Sequence, residues 1–230
     1  MRILAFDTSG DWLSVAAGDG AMWHAHLERA GQSSSERIVP VIDAMLAEAG
    51  WRLADLDGIA FGAGPGAFTG VRIACGVAQG LALGADLPVV PVPTLLALAQ
   101  EAWRERGATQ VLACLDARMR EVYVACYARD GGDWRVVSEP AVTKPAAVAT
   151  PVGGTWFGAG DAFAVYPALA LLPRITGTDA AMLPTARAIA ELAAPRLSRG
   201  EGVSAAEALP LYVRHRVALT SAERAAGAVL

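Results

Sequence analysis

Two aspartates stand at the ends of short apolar runs, Asp7 after residues 3–6 and Asp116 after residues 112–115. Carboxylates and waters suit Mg²⁺, so a facing pair could hold a nucleotide and its cation. The competing reading gives each aspartate only the amides of the turn that follows it. Between an apolar run and a helical pattern lies Gly62-Ala63-Gly64-Pro65-Gly66-Ala67-Phe68-Thr69-Gly70. Free amides at the start of a helix attract phosphate, which makes Gly64, Gly66 and Thr69 candidate anion contacts beside Asp7 and Asp116. The stretch has no Gly-Lys-Ser/Thr, and Ala67 and Thr69 break the Gly-x-Gly-x-x-Gly spacing. A tight turn that needs positive φ is therefore the favoured account of its glycines.

His24 and His26 fall on one side of a strand and could share a metal. No cysteine or carboxylate stands at ligand spacing, so an exposed strand face is the expectation and no metal site is assigned. Lys144 is the only lysine and lies between Thr143 and Pro145, which removes Schiff-base and phosphate-loop lysine chemistry. Neither Gly-x-Ser-x-Gly nor His-Glu-x-x-His occurs, so hydrolase readings lack a nucleophile or metal. No catalytic residue and no cofactor is expected.

The elements that position these residues follow from patterning. Of 230 residues 54% are hydrophobic and 18% charged, which excludes intrinsic disorder. A net charge of −4 argues against a broad phosphate-tracking surface. Cys75, Cys114 and Cys126 are odd in number and lie in apolar segments, as buried thiols in a reducing compartment would. The N-terminus reaches a charge at Asp7, too soon for a secretory signal, and no apolar run of ~18 residues stands out; a cytoplasmic location away from membranes is expected.

Residues 3–6 predict a buried strand, and 13–17 and 22–27 a hairpin around Gly18-Asp19-Gly20. Ser33, Ser34 and Ser35 offer N-cap oxygens to a helix that closes at Gly50. Residues 56–61 predict a strand, followed by the glycine stretch and a helix to about Leu83. A strand over 89–92 and a helix over 94–104 complete the unit. Shifting the chain by 109 positions lays 3–7 on 112–116 and 13–17 on 122–126 without a gap, which predicts a duplicated architecture. The predicted fold is α/β, with lobes at 1–106 and 107–216. A partly ordered tail, 217–230, is expected to turn back on the first lobe. Such a pair, with an aspartate ending each first strand, resembles the tandem ribonuclease H-like lobes of actin-like proteins, each a mixed sheet with helices.

Ordered along nearly the whole chain are Phe6-Asp7-Thr8-Ser9, Glu36-Arg37-Ile38-Val39-Pro40, Gly64-Pro65-Gly66-Ala67-Phe68-Thr69-Gly70-Val71-Arg72 and Leu81-Ala82-Leu83-Gly84-Ala85. Asp116-Ala117-Arg118-Met119, Glu121-Val122-Tyr123 and Pro210-Leu211-Tyr212-Val213-Arg214 continue the series. This set resembles the bacterial TsaB (YeaZ) family of tRNA threonylcarbamoyladenosine biosynthesis proteins. The resemblance implies a non-catalytic subunit that binds and activates a TsaD-type catalytic subunit, joined by a TsaE-type ATPase, with tRNA touched only through the complex. The family's catalytic paralogue holds metal through His-x-x-x-His on its first helix, whereas residues 33–50 here contain no histidine. The chain departs from the common family pattern at Ser34, often histidine, and at Arg120, often glycine.

The helices carry a matching signal. At 100° per residue, Val71, Ala74, Val77, Ala78 and Leu81 share the face expected to cover a sheet. The opposite face carries Arg72, Gly76, Gln79, Gly80 and Leu83. Small residues four apart admit another backbone closely, and each helical glycine costs ~1 kcal/mol against alanine. On the preceding helix Ile38, Val41, Ile42 and Met45 widen the apolar arc beyond a one-sided stripe. Together these nine residues are the expected partner interface; the family resemblance implies that the two helices meet the same pair in TsaD, or in a second copy of the chain, as a small helix bundle. A stand-alone actin-like ATP-dependent phosphotransferase or hydrolase is the alternative.

Overall fold

The computed structural model describes residues 1–214. The first sheet contains β1 (Ile3–Asp7), β2 (Trp12–Gly18), β3 (Trp23–Arg29), β4 (Gly58–Gly62) and β5 (Val89–Val92) in the order β3-β2-β1-β4-β5. The second contains β6 (Gln110–Asp116), β7 (Val122–Asp130), β8 (Asp133–Thr143), β9 (Trp156–Ala159) and β10 (Ile175–Asp179) in the equivalent order, β8-β7-β6-β9-β10. In each, the first three strands pair antiparallel and the last two add in parallel. The chain is thus two tandem ribonuclease H-like, actin-like lobes, as the repeat predicts. All five residues of both β1 and β4 are buried, because helices cover both faces of the first sheet.

On one face lie α1 (Ser34–Ala49) and α2 (Phe68–Ala85), whose apolar residues meet Leu4, Phe6, Leu13, Ile59 and Phe61 in one core. On the other lies α5 (Ala186–Ser198), which brings Ala186, Ile189, Ala190 and Ala193 against Ile3, Ala5, Ala60 and Val90. Conversely, α3 (Thr94–Arg106) packs Leu95, Leu98 and Ala102 against Val111, Ala113 and Tyr127 of the second sheet. The first sheet ends with β5 at Val92 and the second begins with β6 at Gln110, and the packing crosses the boundary expected at Arg106–Gly107 in both directions. The short α4 (Ala162–Val165) closes the second lobe's other core through Ala162 and Phe163.

The gapless 109-residue repeat needs one correction. Asp7 pairs with Ser14 while Asp116 pairs with Val122, so residues 117–121 span what residues 8–13 span in the first lobe. The shorter link closes through three consecutive left-handed residues, Arg118, Met119 and Arg120, with φ of 58°, 53° and 58°. A side chain in this conformation costs ~1–2 kcal/mol. Arg120→Gly should therefore stabilise the chain by about 1 kcal/mol, less than the full strain because glycine gains freedom when unfolded; a denaturant midpoint shift checks this.

Three local expectations also change. Ser33 and Ser34 donate their hydroxyls to the Ala30 and Gly31 carbonyls instead of capping α1 amides. The sheet-facing side of α2 buries Cys75 and Ala82 along with Val71, Ala74 and Ala78, while Val77 and Leu81 are only partly buried. Finally, α2 is an 18-residue helix long and apolar enough to cross a membrane by length and composition, contrary to the sequence reading; here a third of it is buried on the sheet.

Candidate functional site

Asp7 ends β1 beneath the glycine loop, 3% exposed. Its Oδ1 accepts from the Ser9 amide at 2.9 Å and the Ser9 hydroxyl at 2.8 Å. Its Oδ2 is buried with no hydrogen-bond partner among the described residues. Burial raises its pKa from 3.8 to about 6, partly offset by the two Ser9 bonds. Asp116 repeats the arrangement: its Oδ1 accepts from the Arg118 amide at 3.2 Å and from the Tyr166 hydroxyl at 3.2 Å, and the Arg118 guanidinium lies 3.3 Å from Oδ2. Asp161 donates nothing here but accepts the Asp116 amide at 2.8 Å, and burial pushes its pKa up, with the Asp116 charge adding to the effect. Both strand-end aspartates thus receive turn amides. Among the described residues no cluster of three histidine, cysteine, aspartate or glutamate side chains could hold a metal. His24 and His26 face Glu48 and Glu28 at 3.3 and 3.2 Å.

The glycine loop is a packed turn. Three of its amides are engaged: Ala63 donates to Val92 O, Gly64 to the Thr94 hydroxyl and Ala67 to Ser9 O. A Cβ on Gly62 would collide with the Asp7 carboxylate, on Gly66 with the Ser9 carbonyl and on Gly70 with the Thr8 carbonyl. Gly64 has φ +100°, and a Cβ there would lie 3.0 Å from Leu211 O. Gly64 and Gly66 therefore serve chain packing, and Gly64 offers no amide to an anion. Thr69 is exposed in the first turn of α2.

Leu211 belongs to an irregular segment whose path the sequence does not foretell. Residues 203–214 start at the β5 edge, where Val203 and Val89 exchange backbone bonds of 2.8 and 2.9 Å. The Ala208 carbonyl accepts from Gln79 Nε2 at 2.9 Å and Cys75 Sγ at 3.2 Å. The Leu211 amide donates to Ala63 O at 2.7 Å, and Arg72 Nε donates to the Tyr212 hydroxyl at 2.8 Å. At the far end Arg214 Nη2 donates to Ala117 O at 2.9 Å and Glu121 Oε2 at 2.7 Å, on the second lobe's left-handed turn. The segment returning to the first lobe is this one; the tail 217–230 lies outside the described residues.

The expected interface divides. Ile38, Val41, Ile42 and Met45 are at most 7% exposed, because the wide apolar arc of α1 meets β2, β3 and α2 together. These four belong to the core, and Val41 and Met45 reach the floor of a groove between α1 and β3. Gln79 and Arg72 are bonded to the returning segment. Gly76, Gly80 and Leu83 do face outward, with Leu83 79% exposed. A Cβ on Gly76, Gly80 or Gly84 would meet nothing within 4 Å.

The duplicated lobes define the class to which comparison then gives a family. A family model described as TsaD, tRNA N6-adenosine threonylcarbamoyltransferase, matches residues 27–215. The chain is 41% identical over 223 residues to the tRNA threonylcarbamoyladenosine biosynthesis protein TsaB of Escherichia coli, covering 95% of this chain and 96% of that one. It is 40% identical to the TsaB of Haemophilus influenzae, covering 94% and 95%. The solved structure of YeaZ from Pseudomonas aeruginosa matches with a TM-score of 0.86 at 45% identity, over 92% of this chain and 99% of that one. The chain belongs to the TsaB family.

Proposed function

We propose that the chain is a non-catalytic subunit in the synthesis of N6-threonylcarbamoyladenosine on tRNA, and that it docks a TsaD-type transferase on the outward face of α2. The observation that carries this reading is the row Gly76, Gly80 and Gly84, each with open space where a side chain would be. A helix interior loses ~1 kcal/mol per glycine, and nothing among the described residues requires these three to be small. Close approach of a second backbone does require it. A paralogue of the same fold is a natural partner, since matched α1–α2 pairs can meet about a pseudo-twofold axis. A second copy of the chain could use the same face.

The phosphotransferase alternative is disfavoured by the same geometry: Asp7 is buried with its Oδ1 on Ser9, and the Ala63, Gly64 and Ala67 amides of the glycine loop are bonded internally. Reconstituted threonylcarbamoylation with a TsaD-type subunit, a TsaE-type ATPase and purified threonylcarbamoyl-adenylate should require this chain. The chain alone should not consume ATP, and turnover by the isolated protein would favour the enzyme reading.

A further inference from the structure

The segment 203–214 runs along α2 beside its outward glycines. At 100° per residue Arg72 and Gln79 border the Gly76–Gly80–Leu83 face, and both are bonded to this segment. We propose that the segment is the second wall of the docking surface, and that the partner helix received there presents a carboxylate to Arg72. The inference rests on the docking reading above and adds the wall and the partner's chemistry to it.

The segment's backbone is anchored at Val203, Ala208, Leu211 and Arg214, yet several of its large side chains point to solvent. Leu209 is 63% exposed and Tyr212 49%, and the neighbouring Phe68 is 47% exposed. Burial of such groups is the usual source of binding energy, and tyrosine and arginine are over-represented among the residues that supply it. The anchoring means little order has to be gained on binding, which raises affinity for the same contact area.

Arg72 is similarly prepared. Its guanidinium lies 3.7 Å from the Phe68 ring centroid and 5.7 Å from that of Tyr212, with Nε held by the Tyr212 hydroxyl. Its two terminal nitrogens have no hydrogen-bond partner among the described residues. A planar fork held this way suits a carboxylate bidentately. A phosphate would fit the fork too, but Leu83 and the glycine row on the same side of α2, and the exposed Leu209 next to the Ala208 anchor, offer apolar surface, and the net charge of −4 provides no basic stripe for a nucleic acid. The glycine row instead fits the backbone of a helix.

The test is titration calorimetry of the full chain with its TsaD-type partner, comparing Leu209→Ser, Tyr212→Ala and Arg72→Gln, with Gly76→Arg/Gly80→Arg in parallel. Leu209→Ser and Tyr212→Ala should each weaken binding about tenfold or more. Arg72→Gln should weaken it and flatten its dependence on salt, because the lost contact is an ion pair. If Tyr212→Ala also lowers the melting temperature, Leu209→Ser decides, since it alters a largely exposed side chain. Loss of binding by the glycine variant with Leu209→Ser within twofold of the parent overturns the wall and leaves the docking reading standing. Normal binding by the glycine variant overturns both.

Discussion

Asp7→Asn stabilises the chain by about 3 kcal/mol at pH 8, and the advantage vanishes below about pH 4. The folded chain holds this carboxyl at about 6 against an ordinary 3.8, chiefly because burial penalises the charge, with the Ser9 bonds opposing. A carboxyl whose folded pKa is raised favours folding only while it is protonated in both states. As pH rises from 3.8 towards 6 the unfolded chain ionises first, and stability is lost across that window. At about 1.4 kcal/mol per pH unit, the loss is about 3 kcal/mol once both states are ionised. Asparagine keeps an acceptor for the Ser9 amide and hydroxyl while removing the charge. In a domain of this length the gain corresponds to roughly 6–12 °C in melting temperature. Melting curves of parent and variant at pH 8 and pH 4 check it, and an equal difference at both would contradict the buried-charge account.

The glycines of α2 give the second large effect, with opposite signs along one helix. Gly70→Ala forces a methyl group into the Thr8 carbonyl, a backbone atom fixed by the β1 turn, and should destabilise by about 3 kcal/mol or more, as overpacked sites do at their upper range. Gly76→Ala and Gly80→Ala enter open space and should each stabilise the isolated chain by about 1 kcal/mol through helix propensity. Urea midpoints for the three variants test the pattern. A loss at Gly76 or Gly80 comparable with that at Gly70 would mean that these positions are already packed within the chain.

Much of this architecture was legible in the pattern of residues. Alternating apolar runs placed the strands, and the repeat of strand, aspartate and turn announced two lobes, because burial on both sheet faces leaves continuous apolar runs. The one-residue difference between the two turns escaped, since apolar residues align equally well with the second strand displaced by one. Periodicity also says which face of a helix is apolar but not what covers it. Ile38, Val41, Ile42 and Met45 looked excessive for one sheet because α1 also meets α2, and α3 and α5 gave no sign of exchanging lobes. The path of 203–214 was illegible for another reason. Its anchors are backbone carbonyls and amides, such as Ala208 O and the Leu211 amide, which carry no residue-type signal. Pro210-Leu211-Tyr212-Val213-Arg214 showed family likeness, and only the structure shows Tyr212 on Arg72 and Arg214 on Glu121.

The most direct test of the central claim is the affinity of the Gly76→Ala/Gly80→Ala double variant for a TsaD-type transferase. The two methyl groups improve the isolated helix, so any loss of binding comes from the approach they obstruct. The account predicts a chain that is more stable alone and binds its partner about tenfold more weakly or worse. Equal or tighter binding would contradict it, because the outward glycines would then have no partner to accommodate.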